Sequence, residues 1–129
     1  MTTLAYLDAS AIVKLVIDEP ESETLLHWYH ESDRIITSRI GVVEVRRAVN
    51  RRDHDPGQML AVLARLEVLE LDPEVDRLAG GILPAALRTL DAIHVATALS
   101  IPGVEAFVTY DDRLAGAARA AGLPVVRPA

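Results

Sequence analysis

The chain reads as an α/β domain built on a parallel sheet with helices packed against it. Two observations lead there. The runs "TLAYLD", "RIIT" and "EAFVTYD" are apolar on both faces, the pattern of strands buried from both sides. Between them lie stretches with helical spacing, and that alternation predicts crossover helices joining parallel strands. Length sets the scale: 129 residues suit one domain, expected to span 1–129.

The first strand, "TLAYLD", ends at Asp8, and the small residues Ala9 and Ser10 open the helix "ASAIVKLVI". Pro20 then introduces a helix from about Glu21 to Glu31, followed by the strand "RIIT" and a helix from about Arg39 to Arg52. Further helices are expected over 57–67, 74–84, 89–100 and 112–121, the last ended by Gly122 and Pro124. Short strands at "EVLEL" and "LPVV" complete the reading. No repeat, low-complexity tract or long linker divides the chain.

Half of the residues are hydrophobic but only 4% aromatic, so the core must be made of Leu, Val, Ile and Ala. The absence of cysteine excludes disulfides and thiolate zinc sites, and the four His residues show no HxxxH-type spacing. No apolar run approaches the roughly 20 residues of a bilayer span, and "MTTLAYLD" lacks the basic and apolar regions of a signal peptide. A cytoplasmic protein without membrane association is expected. The net charge of −6 argues against a broad basic surface for nucleic acid. Locally, however, Arg46, Arg47, Arg51 and Arg52 crowd into "EVRRAVNRR". They form either a solvated helix face or a basic rim, since the planar guanidinium suits phosphate.

In parallel α/β sheets, ligands bind beyond the carboxyl ends of the strands. Asp8 stands at one such end, and Thr109, Asp111 and Asp112 stand at another. Each of these acids has a plain explanation as a helix cap. Asp91, in "TLDAIHVATAL", falls in the first turn of its helix, where the macrodipole favours an anion. The dipole does not explain why Asp91 shares the apolar stripe of Val95 and Ala98. Glu44 sits between an apolar helix face and the side carrying Arg47 and Arg51, and an ion pair with Arg47 would account for it. Taken together, partly buried carboxylates repel one another and are tolerated when cations bridge them. Oxygen-only ligands select Mg2+ or Mn2+, and such ions activate water and neutralise charge in phosphodiester hydrolysis.

Four stretches, "YLDASAIVKL", "SRIGVVEVRRA", "TLDAIHVATAL" and "FVTYDDRLAGAARAAGL", span nearly the whole chain. In that order they resemble the PIN-domain family, and within it the VapC-type ribonuclease toxins of toxin–antitoxin pairs. The resemblance implies a PIN-like α/β/α sandwich around a central parallel sheet. It makes Asp8, Glu44 and Asp91 three catalytic metal-binding acids and Asp111 the fourth, with Asp112 directly after it as a further metal ligand. Ser10 and Thr109 would support the metal shell. The implied activity is Mg2+-dependent cleavage of a structured RNA, such as a tRNA or ribosomal RNA, by a metal-activated water, with Mn2+ as a substitute. A VapB-like antitoxin would inhibit it by reaching an Arg into the acids or an apolar helix over Trp28 and Tyr29. The resemblance further implies a homodimer. In that setting Arg46, Arg47, Arg51 and Arg88 become candidate RNA contacts.

Other readings are a PIN nuclease of RNA processing outside a toxin–antitoxin pair, a non-catalytic phosphate-binding or receiver-like module, a phosphatase and an inert PIN-like module. A receiver needs an acidic pair after the first strand and a Lys after a late one, whereas the sole Lys here is Lys14. A phosphatase needs a second Asp where "LDAS" has Ser10. The inert module is disfavoured by the presence of every expected acid.

Overall fold

The computed structural model describes residues 3–129, so the first two residues of the expected domain and the start of "MTTLAYLD" lie outside it. In chain order the elements are β1 (Leu4–Leu7), α1 (Ala9–Val16), α2 (Ser22–Glu31), β2 (Arg34–Ser38), α3 (Arg39–Asn50) and α4 (Pro56–Arg65). They continue with β3 (Glu67–Leu69), α5 (Pro73–Gly80), α6 (Thr89–Leu99), β4 (Ala106–Val108), α7 (Asp112–Ala120) and β5 (Val125–Val126). The strands form one parallel sheet in the order β3-β2-β1-β4-β5.

Because side chains alternate along a strand, each strand feeds two cores. Ala5, Leu7, Ile35, Ala106 and Val108 face Ile12, Leu25, Val45, Val49 and Val62 from α1 to α4. Leu4, Tyr6, Ile36 and Phe107 face Val95 and Ala98 of α6 and Leu114, Ala117 and Ala118 of α7. Val75 of α5 packs on Ile93 and Ala96 at the outer side of α6. The expected α/β/α sandwich results, and Tyr6 stacks on Phe107 with ring centroids 5.2 Å apart.

Most boundaries fall within two residues of the sequence reading. The largest difference is α5, which stops at Gly80 instead of running to Pro84. Gly80 and Gly81 are poor helix formers, and Pro84 lies four residues past the end. The predicted 57–67 helix yields its end to β3, where Glu67 pairs with Ile36. Helix α6 is buried throughout Asp91–Ala98, although one stripe was expected, because α5 covers its outer side while the sheet lies beneath. Among the described residues, no helix is long and apolar enough to cross a membrane.

The sheet order places the site. From β1 the chain moves outward through β2 to β3, then returns to lay β4 on the other flank of β1. The carboxyl ends of β1 and β4 therefore meet at the topological switch point, where the following loops part and leave a crevice.

Candidate active site

Leu7 of β1 is in register with Val108 of β4, so Asp8 and Thr109 are the next residues on the two strands. The Thr109 hydroxyl donates to Asp8 Oδ2 at 2.6 Å, and Ser10 donates to Oδ1 at 2.7 Å. The donor roles follow from the carboxylate, which can only accept; each hydroxyl in turn accepts a backbone N–H, Ser10 Oγ that of Tyr110 at 2.9 Å and Thr109 Oγ1 that of Asp111 at 3.1 Å. Asp8 also caps α1, accepting the Ala11 N–H at 3.0 Å. The capping and site readings of Asp8 are thus compatible. With 3% of its surface exposed, burial pushes its pKa up, and the hydrogen bonds it accepts oppose that rise.

Asp111 is the cap of α7, with Oδ1 accepting the Leu114 N–H at 3.0 Å. Its other oxygen accepts from Arg88 Nη2 at 3.2 Å, while Arg88 Nε donates to Asp91 Oδ2, also at 3.2 Å. One guanidinium bridges the two acids. Arg88 is itself 65% exposed, whereas the Asp91 side chain is 10% exposed, so a cation stands at the mouth with the carboxylate behind it. Sequence reasoning put Arg88 on an RNA-binding rim; the fold turns it onto the acids.

Asp112 is separated from this group. One position further round the α7 turn, its side chain is 91% exposed and paired with Arg127 Nη1 at 2.8 Å. Arg127 Nε also donates to the Thr109 carbonyl at 2.9 Å, tying the C-terminal segment to the end of β4. Of the two neighbouring acids, Asp111 is the one that shares a partner with Asp91.

Glu44 projects from the second turn of α3, with Oε1 2.7 Å from His94 Nε2 on α6. The expected neighbour was Arg47. His94, 1% exposed, has its other ring nitrogen 2.7 Å from the Tyr6 hydroxyl. Sequence reasoning tested the histidines only for metal spacing and passed over His94 and Tyr6. The available signal was His94 standing one helical turn after Asp91.

Among the described residues, no three His, Asp or Glu side chains gather into a ready-formed metal centre. The carboxylates are held instead by protein partners, namely Arg88, His94 and two hydroxyls. The residues nonetheless fit a hard divalent ion. Their donors are all oxygen, Asp8 is a buried acid, and the place between Asp91 and Asp111 already holds a positive group.

Beside these acids lies a groove of about 580 Å³ lined by Ser10, Glu44, Tyr110, Lys14, Arg47 and Arg51 among others. Arg47 and Arg51 thus form a basic wall next to the acidic centre. Arg46 is exposed and lies outside that lining, and Arg52 is paired with Glu19 at 2.7 Å.

The PIN domain family model matches residues 5–120. Ribonuclease VapC46 of Mycobacterium tuberculosis is 43% identical over 126 residues, covering 95% of this chain and 96% of that protein. The crystal structure of M. tuberculosis VapC20, described as a Sarcin-Ricin loop cleaving toxin, superposes with a TM-score of 0.74 at 19% identity, over 96% of this chain and 99% of that one. VapBC2 from Rickettsia felis, bound to a DNA fragment from its promoter, gives a TM-score of 0.67 at 15% identity over 97% and 98%. The strand order, the acids at the switch point and these likenesses agree: the chain belongs to the PIN-domain family, among the VapC ribonucleases.

Proposed function

We propose that the chain is a Mg2+-dependent endoribonuclease and the toxin of a VapBC-type pair, acting in the cytoplasm as one domain over 1–129. The observation that carries this reading is the convergence of Asp91 and Asp111 on one cation, beside buried Asp8 at the switch point. Asp8, Glu44, Asp91 and Asp111 are the residues that would hold Mg2+, or Mn2+ in its place. A bound ion supplies an acidified water and neutralises charge at the phosphate.

The rest is the work of the chain's own side chains. Ser10 and Thr109 fix the Asp8 carboxylate in one rotamer, so its oxygens keep their direction toward the crevice. Arg47 and Arg51 hold the RNA backbone along the groove wall, compensating locally for the net negative charge. Arg88, which bridges Asp91 and Asp111, would have to release them for an ion to be held there, and its guanidinium would then suit a phosphate.

Support for an antitoxin partner comes from the similarity to the VapBC2 structure. A VapB-like protein would cover the groove with a basic side chain among the acids. Exposed Leu71 and Leu83, which line a second, largely apolar groove of about 570 Å³, supply a surface for the expected homodimer. A tRNA or ribosomal RNA is the proposed substrate.

The test is to incubate antitoxin-free protein with total bacterial RNA in Mn2+ or EDTA and map new 5′ ends. Discrete ends that need the metal support the reading and name the target. Ends that persist in EDTA, or no ends in any structured RNA pool, overturn it.

A further inference from the structure

Glu44, a proposed metal ligand on α3, is held by one deeply buried side chain, His94. Its carboxylate can only accept, so the 2.7 Å contact with His94 Nε2 requires the proton to be on Nε2. The second ring nitrogen, Nδ1, lies 2.7 Å from the Tyr6 hydroxyl. Burial pushes the Tyr6 hydroxyl well above its ordinary range, so it keeps its proton and donates it to Nδ1. A chain of fixed direction results, running from Tyr6 on β1 through His94 on α6 to Glu44 on α3.

The backbone makes room for this chain at one position. A Cβ built on Gly41, in the first turn of α3, would lie 2.6 Å from Thr37 Oγ1 and 3.0 Å from His94 Cε1. Both neighbours are buried, and the Thr37 hydroxyl is committed to the Leu7 carbonyl at 2.7 Å. The imidazole is therefore clamped between Gly41 and Tyr6, with the Tyr6 ring edge-on to it at a centroid distance of 5.8 Å.

We propose that His94 is a positioning residue: held in its Nε2–H tautomer by Tyr6 and packed against Gly41, it sets the direction of the Glu44 carboxylate toward the metal. The proposal rests on the metal reading above. Its physical basis is general, since a ligand oriented by an outer hydrogen bond binds without first losing rotamer freedom. Removing such a partner costs about 10- to 100-fold in metal affinity.

Three measurements test it. Long-range 1H–15N correlation on metal-free protein reports the His94 tautomer: protonated Nε2 with bare Nδ1 is expected, and the opposite tautomer or an imidazolium overturns the proposal. Calorimetric Mn2+ titration then compares wild type with the Tyr6→Phe/His94→Leu double variant. That variant removes both buried members of the chain together, and Glu44, 28% exposed, can turn to water, so it is expected to stay folded. About tenfold weaker Mn2+ binding is expected in the double variant, with His94→Gln, whose amide can still donate to Glu44, staying closer to wild type. A folded double variant that binds Mn2+ like wild type overturns the positioning role alone. Wild-type protein that binds no Mn2+ overturns the metal reading, and this role with it.

Discussion

Replacing Asp8 separates its two roles, because Asn keeps one acceptor and loses the charge while Ala loses both. In Asp8→Ala, the Ala11 N–H cap goes, at about 1 kcal/mol. The Ser10 and Thr109 hydroxyls lose their shared acceptor, about 0.5–1.5 kcal/mol each. Relief of a buried carboxylate offsets part of this, since burial already raises the Asp8 pKa. The net expectation is about 2 kcal/mol of destabilisation in metal-free protein, or a fall in Tm of roughly 6–8 °C for a chain of this size. In Asp8→Asn the cap and the Ser10 bond to Oδ1 survive, and Thr109 can turn its proton to Ser10 Oγ, 3.4 Å away. Its metal-free Tm should stay within about 3 °C of wild type, equivalent to less than about 1 kcal/mol. Mn2+ at about 100 times its Kd should add about 2.7 kcal/mol to wild type, and little or nothing to either variant. Differential scanning calorimetry in EDTA and in Mn2+ gives all six values. If Asn destabilises as much as Ala, the hydrogen-bond accounting is wrong; if Mn2+ stabilises Asp8→Asn fully, Asp8 is no ligand.

Four other perturbations probe neighbouring parts. Below the raised folded-state pKa of Asp8, folded protein holds a proton that the unfolded chain releases down to about 3.8, so the ionised form costs stability at neutral pH. Metal-free wild type should therefore gain on Asp8→Asn as pH falls through that window, as read from paired thermal melts. Arg88→Ala removes a competing cation from Asp91 and Asp111 and should tighten Mn2+ binding severalfold in a calorimetric titration. Gly41→Ala should lower stability by about 1–3 kcal/mol through overpacking, despite the better helix propensity of Ala, as measured by denaturant melts. An Arg47→Ala/Arg51→Ala pair should raise KM for RNA, leave kcat nearly unchanged, and flatten the salt dependence of binding by about 1.4 log units per log unit, at about 0.7 per single-strand phosphate.

The fold was legible because its strands are short, apolar on both faces and bounded by capping residues; Asp8 and Asp111 mark their junctions in the sequence as clearly as in space. Helix ends were harder to place where glycine or a competing strand decided them, as at Gly80 and Glu67. At the site, Asp91 was conspicuous as a charge on an apolar stripe, and the answer came from three residues earlier, where Arg88 joins it to Asp111. What the residues could not reveal was direction. Asp111 and Asp112 look equivalent as letters, but one residue step round α7 sends the second to Arg127. Likewise, Arg46 and Arg47 are adjacent in sequence, and only Arg47 reaches the groove. The contact of Glu44 with His94 joins residues 50 positions apart on two helices, so no local pattern announces it.

The central claim is that the acids at the ends of β1 and β4 share one divalent ion in place of Arg88. Crystals soaked in Mn2+ and measured at the manganese absorption edge test this most directly. The account predicts an anomalous peak within coordinating distance of Asp8, Asp91 and Asp111 oxygens, with Arg88 turned away toward the groove. A peak elsewhere, or Arg88 still bridging Asp91 and Asp111 at saturating Mn2+, would contradict it.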